Sequence, residues 1–225
     1  MVKESRGPKK RNLFRDLSSG IQAMRDHREG RLELRRHRIE PAKVYQLKVT
    51  LMESDPPIWR RLRVPGDTTL ARLDRIIQTA MGWTNSHLHT FTAGGVLYAD
   101  PSSEWEIPVK DERRIRLDRI ACEEGEAFVY EYDLGDSWRH QVLVEEVRVG
   151  SDDTAGPVCL SGARACPPED CGGVQGYYQT LEILGNPRHE EYQDRKTWIE
   201  SMTGGSFDPD AFDVEAVNGA LKGLR

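Results

Sequence analysis

The sequence predicts an α+β fold, with antiparallel strands built around a strand–strand–helix unit, a C-terminal helical part, and a separate basic arm in front. Three observations predict it. Period-two alternation dominates from Val44 to Val149, helical periodicity dominates from Val174 onward, and charge divides near Pro41. Strands first and helices later separate this pattern from the β-α alternation of a parallel sheet. Residues 1–42 hold 12 Lys+Arg against 6 Asp+Glu, so the net charge of −5 conceals an arm of +6 on a body of −11. The expected division is therefore an arm, residues 1–42, and one domain, residues 43–225.

Within the arm, Leu13, Phe14, Leu17, Ile21 and Met24 recur at spacings near three and four, which predicts a short helix from Leu13 to His27. A helix of this length is marginal in water without packing, so its apolar face should rest on the body or a second chain. Gly30 turns the chain, Arg31 to Ile39 partly alternates as an exposed strand does, and Pro41 closes the segment. Asp16 to Glu40 resembles the leader of antitoxin-type regulators, with a Leu-rich helix, a Glu-Gly turn and a basic Leu-x-Leu-Arg strand, but no helix-turn-helix follows it.

In the body, Val44 to Leu51 and Ile58 to Val64 alternate on either side of Ser54-Asp-Pro-Pro57, which predicts a hairpin with Ile58, Arg60, Leu62 and Val64 on one face and Trp59, Arg61 and Arg63 on the other. Pro65-Gly66 ends it, Asp67 or Thr68 is placed to cap, and Leu70, Leu73, Ile76, Ile77, Ala80 and Met81 form a helical stripe that stops at Gly82. Further strands are expected at residues 89–92, 96–98, 127–133 and 138–149, with a short helix over 115–120 between them. Loop chemistry runs from Ser151 to Gly173, and helices follow at 174–184, 191–202 and 214–221.

Four cysteines in 225 residues do not make a disulfide framework, and the first residues lack the apolar stretch of a signal peptide, so a reducing, cytoplasmic setting is expected. Apolar runs fall far short of the roughly 20 residues that a spanning helix requires, which excludes a membrane partner of that kind.

Six words across residues 43–222 resemble the pRiA plasmid ORF-three-like family, named for an open reading frame on a plant root-inducing plasmid. They are Pro57-Ile-Trp-Arg-Arg61, Gly82-Trp83, His87-Leu-His-Thr-Phe91, Tyr130-Glu-Tyr-Asp-Leu-Gly-Asp-Ser-Trp-Arg-His140, Pro167-Pro-Glu-Asp-Cys-Gly-Gly173 with Gly176-Tyr177, and Phe207-Asp-Pro-Asp210. The resemblance implies an α+β fold and a plasmid or mobile-element setting.

Chemistry concentrates in three of these words. Tyr132, Asp133, Asp136, Trp138 and His140 stand at a strand junction, where carboxylates and an imidazole can bind a ligand or divalent metal, while Leu134-Gly135-Asp136 reads equally as a turn closed by aspartates. Glu169 and Asp170 precede a glycine-rich helix start and join the ligand candidates. His87-x-His89 has the period that puts both rings on one face of a strand, a metal pair to which His140 or Asp133 would add a third ligand. Cys159, Cys166 and Cys171 offer three thiols, at spacings unlike a standard zinc knuckle, and read also as buried reduced cysteines.

Nucleic-acid candidates are Lys9, Lys10, Arg11, Arg35, Arg36 and Arg38 in the arm, and Trp59, Arg61 and Arg63 on the hairpin, where an aromatic among cations can stack on bases and hold phosphates. The favoured expectation is a non-catalytic binding module whose arm contacts a protein partner, a second copy or DNA. The alternative is a metal-dependent enzyme acting on phosphoesters through the histidine and aspartate cluster, for which a divalent metal would be the cofactor.

Overall fold

The computed structural model describes residues 13–31, 41–150 and 156–224, and the chain divides into two units, Met1–Glu40 and Pro41–Arg225. The first unit holds α1 (Leu13–Arg28), whose Phe14, Leu17, Ile21 and Met24 are all exposed. Of the strand expected over Arg31–Ile39, all but Arg31 lies outside the described residues.

The second unit is built on one eight-stranded sheet. Its strands are β1 (Lys43–Leu51), β2 (Trp59–Pro65), β3 (His89–Ala93), β4 (Val96–Ala99), β5 (Lys110–Asp111), β6 (Ala127–Tyr132), β7 (Trp138–Val149) and β8 (Val158–Ala163). They lie in the order β5-β4-β3-β6-β7-β1-β2-β8, antiparallel throughout except for the parallel β4–β5 pair. The helix α2 (Leu70–Met81) follows the β1–β2 hairpin, and α3 (Gly173–Gly185), α4 (Tyr192–Thr203) and α5 (Val214–Leu221) follow the last strand, as the late helical periodicity predicts.

Alternation decides the layers. In β2, Arg60, Leu62 and Val64 are buried and Trp59, Arg61 and Arg63 half-buried, the two faces that the sequence predicts. Leu70, Leu73, Ile76 and Ile77 of α2 are fully buried in the same core as Leu47, Val49, Leu62, Phe91, Tyr130 and Val142 of the sheet. Each such aliphatic side chain contributes about 1.5–3 kcal/mol relative to exposure. Thr69, one residue beyond the expected caps, accepts from the Arg72 amide, and Gly82 closes α2 at φ 100°, a left-handed conformation that favours glycine.

Two expectations are corrected. The helix expected over 115–120 is one short 3₁₀ turn, Leu117–Arg119, which follows another at Glu112–Arg114; Ile115 and Arg116 between them are extended, and Arg116 bridges to Thr69. Part of the expected loop 151–173 is β8, which pairs with the edge of β2. Its sequence, Val-Cys-Leu-Ser-Gly-Ala, carries no strong alternation, and only the waiting edge makes it a strand. No helix among the described residues is long and apolar enough to cross a membrane.

A carboxylate and imidazole centre at the hairpin and loop junction

The β6–β7 turn sets the first side of the site. Asp133 and Ser137 both adopt positive φ, 53° and 54°, and the Asp133 side chain accepts through Oδ1 from the amides of Gly135 (3.0 Å) and Asp136 (3.3 Å). The turn and ligand readings of this word are therefore compatible. One carboxylate oxygen of Asp133 closes the turn and the other, Oδ2, faces His87 Nδ1 at 3.7 Å.

The second side is the loop before α3. Asp136 Oδ2 accepts from the Gly172 amide (3.1 Å), and a side chain at Gly173 would put its Cβ 2.4 Å from the Asp136 carbonyl oxygen, so the loop lies directly against the turn. Glu169 is buried and accepts from the Tyr132 hydroxyl, from Thr84 Oγ1 (2.6 Å) and from the Thr84 amide (3.3 Å). These bonds lock hairpin, loop and the post-α2 segment together and bring Asp170 to the site.

Across from both stands His87, in the bend before β3. Its Nε2 lies 3.3 Å from Asp170 Oδ1, and one ligand atom from each of His87, Asp133 and Asp170 lies within 4.8 Å of the others. Bonds of about 2.1 Å in a tetrahedral set put ligand atoms about 3.4 Å apart, so a pair at the 4.8 Å limit would have to close by roughly 1.4 Å. Asp170, with its side chain 62% exposed, is free to make that movement. One imidazole and two carboxylates suit Zn, Mn or Fe better than Ca or Mg.

His89 belongs to a neighbouring cluster. The bend ends between the two histidines, and His89 turns its Nε2 to Glu112 Oε2 (2.8 Å) and its Nδ1 to Asp74 Oδ1 (3.2 Å). In the expected His87–His89 pair, each imidazole faces its own carboxylates. Burial opposes charging His89, but the Glu112 hydrogen bond and the two carboxylate charges outweigh it and raise its pKa above the ordinary value. Burial likewise pushes the Asp74 carboxyl up, against the pull of His89 and of the Gln78 and Tyr130 hydrogen bonds. Asp74, Glu112, His87 and His89 line a cleft of about 270 Å³.

His140 and Trp138, two of the expected ligand candidates, lie in the core. Both are fully buried, and His140 packs against the rings of Trp83 (5.3 Å between centroids) and Tyr130 (5.6 Å). Neither ring nitrogen of His140 reaches a hydrogen-bond partner, nor does Trp138 Nε1, among the described residues. Burial depresses the imidazole pKa to about 4, and the nearby Trp138 and Tyr130 backbone offsets this only in part, so His140 is a neutral core ring.

The cysteines do not gather either: no cluster with ligand geometry among the described residues includes one. Cys159 and Cys171 are buried, and burial pushes the Cys171 thiol up to about 12 and the Cys166 thiol higher still, away from thiolate chemistry.

On the outer sheet face, Trp59 carries Arg61 and Lys48 over its ring, at 5.0 and 5.2 Å. Arg61 is committed elsewhere, with two hydrogen bonds to Glu145 (2.5 and 2.8 Å) and one to Ser161 Oγ (3.0 Å). The fork that would grip a phosphate is thus already filled by a carboxylate. Lys9, Lys10, Arg11, Arg35, Arg36 and Arg38 lie outside the described residues.

Sequence reasoning missed Asp74 and Glu112. Asp74 carried a usable signal, because it stands four residues after Leu70 and three before Ile77, inside the buried stripe of α2. Glu112 carried none, since its burial follows from the 3₁₀ turn.

Comparison with known proteins agrees with the motif words. The family model described as plasmid pRiA4b ORF-3-like protein matches residues 43–216. The chain is 38% identical over 186 residues to the uncharacterized protein y4hQ of Sinorhizobium fredii (strain NBRC 101917 / NGR234), covering 81% of this chain and 93% of that one. It is also similar to the crystal structure of MM3350, a protein of unknown function from Methanosarcina mazei Go1, with a TM-score of 0.68 and 36% identity over 77% of this chain and 97% of that one.

Proposed function

The chain belongs to the plasmid pRiA4b ORF-3-like family, and from that premise we propose that its body, residues 43–225, is a binding module that takes a divalent cation at His87, Asp133 and Asp170. The observation that carries this reading is the convergence of three ligand atoms from three separate segments, the bend before β3, the β6–β7 turn and the loop before α3. Three protein ligands leave coordination positions open to water or a bound molecule.

Binding is favoured over phosphoester chemistry by what the neighbouring groups already do. Asp136 braces the loop through the Gly172 amide, Glu169 is held by Tyr132 and Thr84, and His140 is a sealed core ring. The arm, residues 1–42, is the attachment element in this reading. Its net charge of +6 suits DNA or an acidic protein, and the exposed apolar face of α1 suits a protein partner or a second copy.

Isothermal titration of chelator-stripped protein with Mn²⁺ and with Zn²⁺ tests the proposal. One ion per chain is expected, and His87→Ala and Asp170→Ala should each weaken binding by at least about tenfold, the scale on which metal-site groups act. Binding that survives both substitutions unchanged would place the ion elsewhere and sink the reading.

A further inference from the structure

The cleft beside the metal centre has a feature that cation binding at His87 does not use. Asp74 and Glu112 are both more than nine-tenths buried on its floor. Asp74 gathers the Tyr130 hydroxyl (2.7 Å), Gln78 Nε2 (2.8 Å) and His89 Nδ1 (3.2 Å) on Oδ1 alone, and Glu112 meets His89 through Oε2. Asp74 Oδ2 and Glu112 Oε1 have no hydrogen-bond partner among the described residues, yet neither belongs to the buried polar atoms sealed from solvent without a partner. They are acceptors open to the cleft.

The opposite sign stands next door. A second cleft of about 460 Å³ shares Ala71, Arg75 and Arg113 with the first and adds Arg72, and no acid among the described residues lines it. Arg113 is held by Asp111 and Arg72 donates to the Leu224 carbonyl, whereas Arg75 is exposed and has no ion pair among the described residues. Ala71, Arg75 and Arg113 line both clefts, so acidic floor and basic end adjoin, with Arg75 as their shared cation without an ion pair among the described residues.

We propose that this two-ended groove binds a small zwitterion, its ammonium or guanidinium group on Asp74 and Glu112 and its carboxylate or phosphate on Arg75. Trp105 on the wall adds an aromatic surface for the cationic end. Ligand recognition of this kind relies on a few placed polar groups in a concave site.

Calorimetric or NMR titration of the full chain in EDTA tests this separately from metal binding. The probes are L-arginine beside agmatine, and γ-aminobutyrate beside butylamine, so that each zwitterion is compared with its cationic half. At least one zwitterion is expected to bind about tenfold more tightly than its amine. Arg75→Gln, an exposed change that leaves the core intact, should erase that advantage, and Glu112→Gln should weaken both members of the pair. Equal affinity of zwitterion and amine, an advantage that survives Arg75→Gln, or no saturable binding of any probe at about 10 mM would overturn the assignment.

Discussion

Replacing His140 by phenylalanine isolates one buried group whose protonation is coupled to folding. In the folded chain the ring is sealed between Trp83 and Tyr130 and titrates at about 4, against 6.5 for the ordinary imidazole. A base with a depressed folded pKa binds its proton more readily in the unfolded chain. Stability from this residue is therefore complete above pH 6.5 and is lost as pH falls from 6.5 to about 4. A separation of about 2.5 pKa units at 1.36 kcal/mol each gives a loss of roughly 3 kcal/mol across the window. His89 and Asp74 also titrate, which is why the informative quantity is the difference between wild type and His140→Phe. Urea denaturation at intervals from pH 7.5 to 4 should show wild type losing about 3 kcal/mol more than the variant. At neutral pH the variant should lie within about 1.5 kcal/mol of wild type, since a similar ring replaces two unpartnered nitrogens. Parallel stability curves for the two proteins would refute the assignment of His140 as a neutral core ring.

Other outcomes follow from the same packing. Gly176→Ala would place a Cβ 1.9 Å from the Cys171 carbonyl oxygen, and the resulting shift of the loop should cost more than about 2 kcal/mol in chemical denaturation. Tyr132→Phe removes a donor from buried Glu169 and should cost about 1–3 kcal/mol in the same assay, with metal affinity reduced because Asp170 loses its anchored neighbour. If Lys9, Lys10, Arg11, Arg35, Arg36 and Arg38 each neutralise a phosphate, DNA affinity should fall about a thousandfold between roughly 50 and 200 mM salt. Deleting residues 1–42 should remove that dependence in a binding titration, and salt-insensitive binding would dismiss the arm as a DNA contact.

The fold was legible wherever local pattern and tertiary role agree. Leu70, Leu73, Ile76 and Ile77 repeat at helical spacing because they face one sheet, and Ile58 to Val64 alternate because that sheet has one covered face. β8 was not legible, because its pairing is dictated by the free edge of β2, some 95 residues earlier in the chain. The candidate site was legible as words and illegible as geometry. Asp133, Asp136, Glu169 and Asp170 were singled out from turn and loop chemistry, but their meeting depends on Glu169 reaching Tyr132 and Thr84 across the fold. The two histidines misled for a physical reason: period two implies a shared face only inside a strand, and β3 begins at His89. The burial of His140 was not legible, because sequence shows the residue type without its surroundings.

The proposed cation site is tested most directly by adding Mn²⁺ to isotopically labelled protein and following paramagnetic broadening of assigned amide signals. The expected result is early, selective loss of signals from residues 86–88, 132–136 and 169–172, the three segments that meet at His87, Asp133 and Asp170. Broadening centred on Asp74 and Glu112, or scattered evenly over surface acids, would contradict the account.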